Sequence, residues 1–298
     1  MTIVEEIEKL NIGDVIENPS LKKYTTYKAG GNALAIVIPD DTKGLITLLK
    51  FLRKKKIKHK ILGNGSNLIF SDSLYNGILI KLDNFNKLEF NDNYVTVGAG
   101  YSLQKLSLRT ARMGLTGLEF ASGIPGTIGG AIFMNAGAYK MDMGYITTTV
   151  KVLDPNLEVK ILTNQDLDFH YRSSFLQEAK NYICLEATLL LRHGDRDAII
   201  EVIKDRKERR ISSQPLDYPS AGSVFRNPKD DFAGRLIEEA GYKGYRIGDA
   251  MVSLKHANFI VNMGNASGDD IKKLINEIKS AVKKKYNIDL KVEQEFVE

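Results

Sequence analysis

The sequence predicts an α+β protein built from more than one domain. Segments with apolar residues at helical spacing alternate with short β-branched runs bounded by turn residues. Some of those runs form hairpins and others a β-α-β unit, so strand pairing is mixed. The 298 residues are also enough for two or three packed cores.

The elements follow in order. "IVEEIEKL" reads as a short helix. "ALAIVIP" reads as a strand, from its β-branched content and terminal Pro. "DDTKGLITLLKFLRKKK" carries acids and Thr at its start and lysines at its end, the two polar signals of a helix. "HKILG" is a strand that completes the β-α-β unit, and "GILIKL" is another. "NKLEFNDNYVTVGAG" and "TTTVKVLDPNLEVKIL" are hairpins turning at Asn-Asp-Asn and Asp-Pro-Asn. "SLQKLSLRTARMG" is a helix between them, and "YICLEATLLL" a buried strand. "DRDAIIEVIKDRKERRISS" is a charged helix leading into a final α+β unit. There "FAGRLIEEAG" and "GDDIKKLINEIKSAVKKKY" are helices, and "NFIVNMG" and "IDLKVEQEF" are strands. The expected division is 1–82, 83–194 and 195–298.

Composition narrows the function. Hydrophobic residues make up 43% and charged residues 27%, the balance of a soluble globular protein. The one cysteine, Cys184, lies in an apolar run, which fits a buried, inert thiol in a reducing compartment. The first residues lack the pattern of a signal peptide, and no run of about 18 apolar residues occurs. The expectation is a cytoplasmic protein without a membrane partner. Net charge is +5 and the pI about 9.0. The lysine clusters "RKKKIKHK" and "VKKKY" fall at helix ends, where cations suit the helix dipole. No nucleic-acid module accompanies them. A mild positive excess suits small anionic ligands. The four histidines show no metal spacing, so no metal is expected.

Two glycine-rich stretches point to a ligand. No Gly-Lys dipeptide exists, which removes the Walker loop. "GNGSNL" (63–68) ends in Leu and has no helix after it, so it is not a Rossmann fingerprint. It follows a strand and offers successive amides with two glycines, which fits an anion-holding nest or an ordinary tight turn. "GIPGTIGGAIFMNAGAY" (123–139) adds glycines at 123, 126, 129, 130 and 137. Two such loops suit a dinucleotide held by main chain.

"PSAGSVFRNP" (219–228) raises a different question. A Ser in a small-residue loop ordinarily caps a helix or bonds the local backbone. The stretch is not a G-x-S-x-G nucleophile elbow, because Val-Phe-Arg follows Ser223.

Taken together, these stretches resemble one family. "KAGGNALAIVIP", "ILGNGSNLIFSD" and "SGIPGTIGGAIFMNAGAY" are similar to the FAD-binding half of the UDP-N-acetylenolpyruvylglucosamine reductases. "YRSSF", "PSAGSVFRNP", "LIEEAGYKGYRIGDAMVSLKHANFIVN" and "VEQEF" are similar to the rest of that enzyme. The resemblance implies an FAD-binding fold of the vanillyl-alcohol oxidase type, made of two α+β subdomains, followed by a C-terminal α+β substrate-binding domain. It implies non-covalent FAD, NADPH as hydride donor and a UDP-sugar substrate, in an enzyme of peptidoglycan precursor synthesis that acts as a monomer.

By motif, Ser223 matches the family's proton donor, Arg172 the arginine on the substrate carboxylate, and Glu295 the glutamate of the usual "LEPEV". FAD would contact Gly63, Asn64, Gly65, Ser66, Asn67, Leu68, Gly123, Ile124, Pro125, Gly126, Thr127, Gly129, Gly130, Ala136 and Gly137. The UDP-sugar would meet Arg226, Asn227, Lys255, His256 and Tyr139. About fifty residues separate Arg172 from Ser223, as in the shorter group without a lid tyrosine. Gln294 stands where the family usually has Pro, and the chain stops at Glu298. A terminal strand can fray, so the position of Glu295 is the expectation most exposed to correction. A different flavin oxidoreductase, or a non-catalytic nucleotide-binding protein, are the competing readings.

Overall fold

The computed structural model describes residues 2–179 and 181–298. The chain divides into two compact units. Unit 1 comprises Met1–Glu17, Ala35–Gly63 and Gly77–Glu208; unit 2 comprises Asn18–Leu34, Asn64–Asn76 and Arg209–Glu298. The expected boundary at 82/83 falls between the two sheets described next. The one expected at 194/195 falls just ahead of the helix Arg196–Ser213, whereas the two-unit division runs through that helix.

The first sheet orders its strands Gly13–Glu17, Ala33–Pro39, Tyr75–Ile80, His59–Ile61. The helix Thr42–Lys55 starts where the Asp41 carboxylate accepts from the Gly44 amide at 2.7 Å. Leu45, Leu48, Leu49 and Leu52 form its buried stripe. It stops at Lys56, which turns left-handed at φ +56. The two strands flanking this helix are not direct neighbours, because Tyr75–Ile80 lies between them and pairs parallel with His59–Ile61.

The second sheet is antiparallel, in the order Val159–Thr163, Thr147–Leu153, Ile183–Leu190, Tyr94–Gly98, Leu88–Asn91. Both expected hairpins are present. Cys184 sits within this sheet, and burial pushes its thiol up to about 12, as an inert thiol requires. The segment 123–139, read from sequence as glycine loop, contains a helix, Ile128–Phe133. Two glycines give it low intrinsic propensity. Buried Ile128, Ala131 and Ile132 and a cap from Thr127 sustain it instead, and neither is visible in composition.

Unit 2 has its own core. The helix Gly268–Tyr286 buries Ile271, Leu274, Ile275, Ile278 and Val282. Each such side chain contributes about 1.5–3 kcal/mol on burial. A reciprocal capping box between Ser267 and Asp270 sets its start. The same core takes in the helix Ala233–Glu239, the strands Ala250–Val252 and Ile260–Asn262, and Tyr27, Val224 and Phe225. The final strand is shorter than expected. Only Glu295–Val297 is a strand, pairing parallel with Leu68–Phe70. The residues before it meet Phe225 through one bridge at Val292, because charged and apolar residues alternate there without a continuous ladder partner.

Candidate active site

In unit 1, Gly63 and the segment 123–130 meet. A Cβ on Gly63 would lie 2.9 Å from the Thr127 hydroxyl oxygen, so any side chain there would have to displace that hydroxyl. That oxygen also accepts from the Gly130 amide at 3.3 Å. Among the described residues, the amides of Gly123, Gly126 and Thr127 donate to no protein acceptor. Lys81, 12% exposed, donates to the Gly63 carbonyl at 3.2 Å and pairs with Asp83 at the same distance. Sequence reading missed Lys81, which closes a strand as an unremarkable "IKL".

Not every glycine in these loops faces a ligand. A Cβ on Gly129 would press on Ala99, and one on Gly137 would enter Asp142. Those two serve packing of the chain on itself.

Arg172 lies in a turn of unit 1, left-handed at φ +58. The turn is tied to segment 123–139 at four points. Asn135, 2% exposed, donates to the His170 carbonyl at 2.8 Å. The Ser174 hydroxyl donates to the Phe133 carbonyl at 2.8 Å. Gln177 donates to the Phe133 carbonyl at 3.3 Å and the Met134 sulfur at 3.1 Å, and within the turn to the Arg172 carbonyl at 3.2 Å. The Arg172 guanidinium lies 5.2 Å from the Tyr171 ring centre. Tyr139 donates its hydroxyl to the Arg206 carbonyl at 3.1 Å, and its ring stacks on the Arg206 guanidinium at 4.8 Å. Its side chain is thereby fixed on the helix Arg196–Ser213.

In unit 2, Asn64, Gly65 and Ser66 form a turn whose amides donate to no protein acceptor among the described residues. Successive free amides of this kind make an anion-binding concavity. Gly65 is left-handed at φ +60, and a Cβ there would lie 2.1 Å from the Tyr24 carbonyl oxygen. It is needed both for conformation and for close approach to its own chain. Asn67 links this turn to the C-terminus. Its side-chain amide donates to the Glu293 carbonyl at 3.0 Å, and its carbonyl accepts from the Glu295 amide at 2.9 Å. Glu295 is therefore anchored in a strand pair and not frayed. Its carboxylate is exposed. Burial, helped by the Glu295 charge, pushes the Tyr75 hydroxyl up to about 12.

Ser223 is half-buried, between Gly222 at φ +74 and buried Val224. Its hydroxyl makes no protein hydrogen bond among the described residues. The capping role ordinary for such a serine is thus absent. The loop around it is held tightly. Asn258, 4% exposed, accepts from the Phe225 amide at 3.0 Å and donates to the Phe225 carbonyl at 2.8 Å. The Val224 amide donates to the Asn258 carbonyl at 2.9 Å, and the Val224 carbonyl accepts from Glu293 at 2.8 Å. Ser223 and Glu295 thus lie in one unit, on segments joined by the bond between Val224 and Glu293.

The remaining predicted residues also lie in unit 2. Asn227 accepts from the Ala233 amide at 3.1 Å, at the start of the helix Ala233–Glu239. Arg226 donates its backbone amide to Lys291 at 2.9 Å. Lys255 reaches the Ile211 carbonyl with its ammonium. His256 accepts at Nδ1 from the Asn258 amide at 3.2 Å, which places the proton of the neutral ring on Nε2. Burial holds its pKa below the usual imidazole range, and the Lys243 charge adds to this. Three organising residues were missed from sequence: Asn258, Asn262 and Tyr27. The signal was there in "NFIVN", where two asparagines bracket a buried apolar strand and so must find buried partners.

No group of three or more His, Cys, Asp or Glu able to hold a metal occurs among the described residues. Among the described residues, no helix is long and apolar enough to cross a membrane. In each unit taken by itself the free amides, in unit 1 beside a position that a Cβ would fill, fit the phosphate oxygens of an anionic cofactor.

Comparison with known proteins is consistent with that fit. A family model described as an FAD-binding domain matches residues 33–162. Another, described as the C-terminal domain of UDP-N-acetylenolpyruvoylglucosamine reductase, matches residues 214–297. The UDP-N-acetylenolpyruvoylglucosamine reductase of Halalkalibacterium halodurans is 44% identical over 296 residues, 99% of this chain and 98% of that protein. That of Bacillus subtilis is 41% identical over the same span. The crystal structure of the reductase from Thermus caldophilus superposes with a TM-score of 0.82 at 34% identity, covering 95% of this chain and 99% of that one. The expected fold, an FAD-binding half followed by the reductase's C-terminal domain, is borne out. With Ser223 unspent in its clamped loop and similarity running through both halves, the chain belongs to the UDP-N-acetylenolpyruvoylglucosamine reductase family.

Proposed function

We propose that this protein is the NADPH-dependent flavoenzyme that reduces the enolpyruvyl ether of UDP-N-acetylglucosamine to UDP-N-acetylmuramate. The observation that carries the reading is the full-length match to named reductases, joined to a Ser223 hydroxyl that no protein group consumes. FAD, when bound, would supply hydride-transfer chemistry between NADPH and the terminal carbon of the enolpyruvyl double bond. The amides of Asn64, Gly65 and Ser66 in unit 2, and separately those of Gly123, Gly126 and Thr127 in unit 1, would be donors to its anionic groups, non-covalently.

Hydride addition leaves an electron pair on the neighbouring carbon, delocalised onto a carboxylate that already carries one charge. Arg172 grips that carboxylate with a planar, always-charged fork. Glu295 is assigned to the same site, where its carboxyl would share the developing charge through a hydrogen bond. Preorganised donors of this type are worth roughly 3–4 kcal/mol each. Ser223 then gives its proton to the carbon. The resulting alkoxide is reprotonated through water, stabilised meanwhile by Arg226 or Lys255. Arg226, Asn227, Lys255 and His256, with Tyr139 of unit 1, are assigned to the UDP-sugar. Asn227 has its side-chain oxygen engaged, so its amide nitrogen is the group available. The buried lone thiol of Cys184 supports a reducing, cytoplasmic setting.

The test is spectroscopic. The purified protein should be yellow, bleach with NADPH without oxygen, and recover its flavin absorbance when the enolpyruvyl substrate is added. Bleaching without that recovery would mean a flavin oxidoreductase with another substrate. A protein that cannot be loaded with FAD would refute the reading outright.

A further inference from the structure

Gln294 is buried beside the loop that carries Ser223, and both polar atoms of its side chain are engaged. Its side chain is 4% exposed and lies among three backbone carbonyls. Nε2 stands 3.0 Å from the Ala221 oxygen, 3.4 Å from that of Gly222 and 3.4 Å from that of Ser223. On the other side, Oε1 accepts from the Tyr27 hydroxyl at 2.9 Å. Tyr27 is itself 1% exposed, and its carbonyl accepts from Asn262 at 2.9 Å. Burial holds the Tyr27 hydroxyl protonated far above the usual phenol range.

These contacts fix the amide's orientation. A protonated phenol can only donate to the amide oxygen if that oxygen faces it, so the NH₂ must face the carbonyls. The reverse orientation would set one buried oxygen against three others. A buried chain of this kind is stronger than its separate bonds. Three consecutive carbonyls can converge on one nitrogen only if the backbone curls. Gly222 supplies the curl at φ +74, and a Cβ there would meet nothing within 4 Å, so glycine is present for conformation and not for space. The peptide planes on both sides of Ser223 are thereby set. The carbonyls of Gly222 and Ser223 are held by Gln294, and the Val224 amide by Asn258.

We propose that Gln294, oriented by the buried Tyr27 hydroxyl, is a positioning residue that aims the Ser223 hydroxyl. The inference rests on the proton-donor reading of Ser223.

The experiment compares half-reactions in the FAD-loaded enzyme. Q294M keeps the volume and removes both polar contacts. Flavin reduction by NADPH should be unchanged. Reduction of the enolpyruvyl substrate should slow about 10- to 100-fold, with a larger solvent isotope effect because proton transfer limits the rate. Y27F should do the same more weakly, and the double variant should be no worse than Q294M, as two members of one chain require. Q294E supplies rescue. Ionised, its carboxylate faces the carbonyls without a proton to donate; protonated at lower pH, it donates one. Its enolpyruvyl step should therefore speed up as pH falls, against the wild-type profile. If Q294M does not retain FAD, Y27F and Q294E carry the same test. Wild-type rates and isotope effects in these variants, while Ser223→Ala is slow, would overturn the positioning role alone. So would equal losses in both half-reactions with no pH rescue, which a purely structural role gives. A fast Ser223→Ala enzyme would instead remove the proton-donor reading, and this inference with it.

Discussion

At Gly63, in unit 1, backbone is positioned because a side chain is missing: a Cβ would strike Thr127 at 2.9 Å. At Ser223, in unit 2, backbone is positioned because side chains are present, the buried amides of Asn258 and Gln294. The first arrangement leaves main-chain donors free to face an anion. The second leaves one hydroxyl free and spends nearly everything around it. A cofactor site needs a surface that tolerates close approach over many atoms. A proton donor needs one atom aimed in one direction. The two loops differ as those tasks differ.

Substitutions can break the comparison from either side. Outside Ser223 itself, the largest effect is expected from Glu295→Ala. It should slow the enolpyruvyl half-reaction by roughly 10²–10³ and leave flavin reduction by NADPH intact. A near-normal rate in stopped-flow would take this acid out of the site. Next is Asn258→Ala, which strands a buried N–H and C=O of Phe225. It should destabilise the fold by about 2–4 kcal/mol, read as a lowered denaturation midpoint. A change within error would mean that the loop does not depend on side chains.

The two glycines of "GNG" should then part company. Gly63→Ala should weaken FAD binding about tenfold with little change in the stability of the flavin-free protein. Gly65→Ala, at φ +60 and 2.1 Å from the Tyr24 carbonyl, should cost the flavin-free protein about 1–3 kcal/mol. Identical behaviour of the two variants would contradict the separate roles. The smallest effect concerns pH. Burial lowers the pKa of His59 and of His256 from 6.5. The unfolded chain therefore takes up protons first, so their contribution is complete above pH 6.5 and is lost as pH falls below it. Melting temperatures of His59→Gln/His256→Gln should fall less steeply over that range than those of the parent.

Much of this was legible in the sequence, for local reasons. The helix Thr42–Lys55 announces itself through Asp41, its leucine stripe and its basic end, all within one window. The hairpins announce themselves through their turns. The short helix Ile128–Phe133 does not, because contacts distant in sequence stabilise it against two glycines. The final strand was overread because alternation at 290–294 marks burial against Phe225 and not a ladder. Ser223, Arg172 and Glu295 were found by motif, whereas Lys81, Asn258 and Tyr27 were not. Their roles exist only once partners 18, 33 and 267 positions apart meet. Gln294 was noticed only as a missing proline. Its partners, at separations of 267 and of 71 to 73 residues, could not be read from the chain.

The most direct test of the account is an anaerobic two-step measurement on Ser223→Ala. NADPH should bleach its flavin at the parent rate. Reoxidation by the enolpyruvyl substrate should then be slower by about 10²–10⁴, with substrate still binding. Parent-like rates in both steps would contradict the claim that this unspent hydroxyl is the proton donor.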